Sequence, residues 1–117
     1  MVLTRSRAWT CAVINQLAFP GLGTIMAGRR IGYAQATVMV AGFILVMTFM
    51  GVWFLALFRL ASDPAWTDAH YDAQWRSWGW AGLWGALLCG VAWCWALVSS
   101  IAIVRLAQHT PPVLQAR

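Results

Sequence analysis

Three groups of residues in this chain have types that do chemistry. Asp68, His70 and Asp72 alternate along the sequence and are donors that a divalent cation accepts. On a helix His70 points away from the two aspartates, so the trio is read as a solvated face. Cys11, Cys89 and Cys94 form no metal motif. Cys89 and Cys94 are five apart, about 140° around a helix, and an odd thiol count argues against a disulfide framework. They are read as small apolar packing residues.

The third group is the most distinctive. Asn15, Gln16 and Thr24 flank Pro20-Gly21-Leu22-Gly23, and Arg29-Arg30 follow. A helix broken in an apolar setting needs its freed amides and carbonyls satisfied, and these three side chains are placed to do it. One reading is a tight turn between half-helices. The functional reading is a nest of amides that, with Arg29 and Arg30, receives a lipid phosphate or a partner's loop. The expected recess therefore consists of Asn15, Gln16, Gly21, Gly23, Thr24, Arg29 and Arg30. No activated nucleophile or acid–base pair is visible, so no enzyme activity, catalytic residue, metal or cofactor is expected.

The elements that position these residues follow from composition and charge. The chain is 62% hydrophobic and 9% charged, against about 25% charged in a soluble domain. Its 117 residues allow one domain. Residues 31–58 and 77–104 contain no charged residue, and about 20 apolar residues suffice to cross a bilayer. Both are expected to span it. Nine tryptophans fit the headgroup layer, with Trp66, Trp75, Trp78 and Trp80 as an outer aromatic belt.

Residues 8–28 are also apolar, but proline removes an amide donor and clashes with the preceding turn. The first helix should end near Phe19, leaving about 18 Å, too short to span. The segment is expected to dip in, break and return. Arginine placement supports this. If residues 8–28 crossed, the eight arginines would divide evenly between the two sides. If they turn back, only Arg59 and Arg76 face outward, as the positive-inside rule prefers. Arg5 and Arg7 before Ala8–Phe19 also resemble a signal-peptide start, but no small-x-small site follows, so the segment is read as part of the membrane domain.

The last span carries Gly82, Ala86 and Gly90 at four-residue spacing, the small residues that let helix backbones approach in lipid. They are expected to form a packing seam, against the first span or a second copy. In the loop, Ser62 or Asp63 before Pro64 reads as a cap for a short interfacial helix from about Pro64 to Arg76. Asp72 and Arg76 are spaced to pair.

The short apolar helix, Pro20-Gly21-Leu22-Gly23, Ala27-Gly28 and the long span after it resemble the bacterial two-transmembrane-domain proteins over residues 13–58. That family carries a Gly-x-Gly stretch and an aromatic-x-Gly turn; here Ile25-Met26-Ala27 stands where it has His and Phe-Tyr. The resemblance implies a small helical membrane protein and supplies no catalytic residues.

The fold expected is an all-α integral membrane domain. It has a re-entrant or interfacial helical hairpin (8–28), span 1 (31–58), an outer loop (59–76), span 2 (77–104) and a cytoplasmic tail (105–117). Both termini are expected in the cytoplasm of a bacterial inner-membrane protein. The arginines are scattered beside apolar runs, which fits anionic headgroups and not nucleic acid. The expected function is binding, to anionic lipid, a membrane-protein partner or a second copy. The rival is a subunit of an oligomeric channel or transporter.

Overall fold

The computed structural model describes residues 4–109. The end of the expected tail, residues 110–117, lies outside the described residues. Within them the elements are helical: α1 (Arg5–Leu17), α2 (Leu22–Met26), α3 (Ile31–Ser62) and α4 (Asp68–His109).

Thr4 starts α1, its hydroxyl accepting the Arg7 amide at 3.4 Å, which satisfies one orphan donor of the first turn. The helix ends at Leu17, two residues before the expected Phe19. The Ala18 and Phe19 amides both turn back to the Ile14 carbonyl. Gly21, at φ +98°, then takes a backbone conformation that costs other residues more. This sends α2 back against α1. A Cβ at Gly23 would lie 1.8 Å from the Cys11 carbonyl oxygen, so only glycine permits that approach. A Schellman motif stops α2: Arg29 N–H donates to the Thr24 carbonyl and Gly28 N–H to that of Ile25, with Gly28 at φ +78°.

With 32 and 42 residues, α3 and α4 are about 47 and 62 Å long. Both are long and apolar enough to cross a membrane. They reach further than expected. The predicted loop 59–76 shrinks, because α3 runs to Ser62 and α4 starts at Asp68. Pro64 does not begin a helix. Asp63 Oδ1 accepts the Ala65 amide at 2.9 Å and the Asp63 carbonyl accepts that of Trp66, closing a tight turn around the proline. Thr67 instead meets His70 at the start of α4, hydroxyl to Nδ1 at 2.9 Å.

The chain forms two compact units. One comprises Met1–Met39 with Gly90–Arg117, the other Val40–Cys89. In the second unit α3 and α4 pack antiparallel through glycine. A Cβ at Gly42 would lie 2.9 Å from the Gly85 carbonyl, and one at Gly85 2.8 Å from that of Gly42. Gly82 makes room for the Phe49 ring, which meets Trp75 edge-on at 5.2 Å. Trp53 Nε1 donates to the Tyr71 hydroxyl at 2.6 Å. Arg59 lies over the Trp66 ring, 5.5 Å from its centre, and makes no ion pair with an aspartate. Nor do Asp72 and Arg76 pair, despite their spacing.

Of the expected seam, only Gly82 packs against α3 within the described residues. Gly82 packs inward, whereas Ala86 and Gly90 are exposed, and no atom lies within 4 Å of where a Gly90 Cβ would stand. At 100° per residue, Gly85 shares the buried face with Ala81, and Ala86 is rotated away from it.

Candidate binding site

The first unit is organised by buried amides and hydroxyls. Asn15 on α1 is fully buried. Its Nδ2 donates to the Ala96 carbonyl at 2.9 Å and to Ser100 Oγ at 3.1 Å, and its Oδ1 accepts the Gly21 amide at 2.7 Å. One side chain thus fastens α1, the break after it and the end of α4. Ser100 Oγ in turn donates to the Ala96 carbonyl at 2.8 Å. Gln35 on α3 is equally buried, and its Nε2 donates to Ser99 Oγ at 2.6 Å. Around this knot Gly21 fits against Gly32, Gln35 and Ala36, and Ala8 packs on Ile103 and Ala107.

The expected recess is not open. Asn15, Gly21, Gly23 and Thr24 are buried, and the two glycines are in backbone contact with Gly32 and Cys11. These four residues are packed within the turn between α1 and α2. Arg29 and Arg30 are exposed and remain available to an anion. Gln16 is half-buried. Three buried polar atoms, Gln16 Nε2, Thr24 Oγ1 and Gln35 Oε1, have no partner among the described residues.

Gln35, Ser99 and Ser100 belong to this arrangement and were not among the expected site residues. A signal for them was present in the sequence. Gln35 is five positions after Arg30, and Ser100 five before Arg105. In antiparallel helices flanked by arginines, that places the polar groups at one depth. Elsewhere, Thr48 Oγ1 donates to the Ile44 carbonyl at 2.8 Å.

Charge is unevenly divided. The segments Met1–Met39 and Gly90–Arg117 contain Arg5, Arg7, Arg29, Arg30, Arg105 and Arg117, and no aspartate or glutamate. Val40–Cys89 contains Arg59 and Arg76 with all three aspartates. Arg5, Arg7, Arg29, Arg30 and Arg105 are exposed. Chemically, the first unit can attract anions and donate hydrogen bonds. Among the described residues no group of three His, Cys, Asp or Glu could hold a metal ion.

No protein-family model, curated protein or solved structure matches this chain, so its likeness over residues 13–58 to the two-transmembrane-domain proteins assigns it no family.

Proposed function

We propose that this chain is a bacterial inner-membrane protein that acts by binding, and that its ligand is the anionic headgroup layer of the cytoplasmic leaflet. The carrying observation is the pairing of acid-free basic segments with two charge-free helices. Arg30 to Arg59 and Arg76 to Arg105 are each 29 positions apart, about 43 Å along a helix. That matches a bilayer with its headgroups, about 40–45 Å. Phe43, Ile44, Met47, Phe54 and Phe58 on α3 are exposed, and only 6% of its most apolar stretch is buried. Such a surface is stable against lipid and not against water.

In this reading α1 and α2 form the re-entrant hairpin, held by Asn15, and never cross. The arginines of the first unit then lie together on the cytoplasmic side, and with no acid of their own they take lipid phosphates as counter-charges. Most of the knot's hydrogen bonds are made within it, which disfavours a conducting path through this chain.

The test is lipid retention. Purified protein in mild detergent, exposed to equal phosphatidylglycerol and phosphatidylcholine, should retain the anionic lipid preferentially by native mass spectrometry. Changing both Arg29 and Arg30 to Gln, with helicity and melting unchanged, should cut that retention on the order of tenfold. Equal retention of the two lipids by the unaltered protein would reject the proposal.

A further inference from the structure

A groove of about 480 Å³ runs between α1 and α4 within the first unit, in the range of ligand sites. Its walls are apolar, with Val13 and Leu17 on one side and Leu97, Ile101 and Val104 on the other. One end is different in kind. There Arg105 and Gln108 line it, beside Trp9, a guanidinium and an indole of the types that sit at headgroup level. Arg105 is exposed, and the segments of its unit contain no aspartate or glutamate.

Extending the proposed function, on whose membrane placement this rests, we infer that the groove is a site for one anionic phospholipid. One acyl chain lies between α1 and α4, and the phosphate sits at Arg105 and Gln108. Length agrees. Leu97 to Gln108 covers about 16 Å of helix, and one leaflet of hydrocarbon is about 15 Å deep. Charge agrees, because among the described residues the charged group lining the groove is a cation, Arg105, and lies at one end. A second copy of the chain fits less well, since it would bring no carboxylate from its own basic segments.

The experiment uses the full chain with Cys11, Cys89 and Cys94 replaced by alanine and a bimane fluorophore on Val13→Cys. Phosphatidylglycerol brominated on its acyl chains should quench the fluorophore saturably and at lower mole fraction than brominated phosphatidylcholine. Arg105→Gln should raise the half-quenching fraction about fivefold, and Ile101→Trp, which fills the groove from a half-exposed position, should abolish saturation. Equal quenching by the two lipids, or quenching that rises linearly with mole fraction, means ordinary boundary lipid and overturns the inference. If Arg29→Gln with Arg30→Gln lowers anionic-lipid retention while Arg105→Gln changes neither readout, the groove is refuted and the broader proposal stands. If the unaltered protein shows no anionic preference by either method, both fall.

Discussion

Asn15 and Gln35 are buried to the same degree, yet they hold the protein differently. Asn15 has both ends of its amide bonded, and its Oδ1 accepts from the buried Gly21 N–H. Asn15→Leu strands that amide, and a buried unsatisfied donor costs about 1–3 kcal/mol. Among the described residues Gln35 bonds through Nε2 alone, and its Oε1 has no partner. Gln35→Leu loses one bond, worth about 0.5–1.5 kcal/mol, but also removes an orphan acceptor of comparable cost. Asn15→Leu should therefore lower the unfolding free energy by about 1–3 kcal/mol in a mixed-micelle denaturant titration. Gln35→Leu should be close to neutral. A larger loss from Gln35→Leu than from Asn15→Leu would show that the knot is held from α3 and not from α1. Asn15 was legible in the sequence because it precedes a proline break. Gln35 was passed over because a lone polar residue inside an apolar run gives no hint of its partner without the neighbouring helix's register.

The helices show where pattern reading succeeds and where it stops. Two unbroken apolar runs were legible because charge must leave a segment that long before lipid tolerates it. Their ends were not. Helices α3 and α4 extend past Arg59 and Arg76 to Ser62 and Asp68, because nothing between those points except the Asp63–Pro64 turn breaks a helix. The seam was harder still. Gly82, Ala86 and Gly90 share a spacing with any helix-packing motif, but spacing fixes a face only relative to itself. The neighbour decides which face is used, and here Phe49, Gly42 and Val46 select Gly82 and Gly85. The same substitution should consequently have opposite signs four or five residues apart. Gly85→Ala places a Cβ 2.8 Å from the Gly42 carbonyl and the Val46 amide and should cost about 1–3 kcal/mol as overpacking. Gly90→Ala meets nothing and should be neutral or raise stability by up to about 1 kcal/mol through helix propensity. Thermal melting in detergent separates the two. If Gly90→Ala is the more damaging, Gly90 is covered by something other than this chain, and a second copy becomes the leading candidate.

Taken whole, the molecule combines a helical pair fit for lipid with a short hairpin that turns back on itself. Two facts led to the expectation that residues 8–28 turn back, a proline at position 20 and an arginine tally that balances badly if they cross; of this the structure shows the break between α1 and α2. Neither fact reveals the chemistry that closes it, which depends on Asn15 reaching Ala96 and Ser100 some eighty residues away. The same tally also makes the charge distribution a prediction about orientation. In spheroplasts carrying the cysteine-replaced chain, a membrane-impermeant maleimide should label His70→Cys from outside. Arg5→Cys and Arg30→Cys should be labelled only after the membrane is permeabilised. Labelling of Arg30→Cys from outside while Arg5→Cys stays protected would mean that residues 8–28 cross the membrane, contradicting the two-crossing arrangement and the gathering of basic residues on one face.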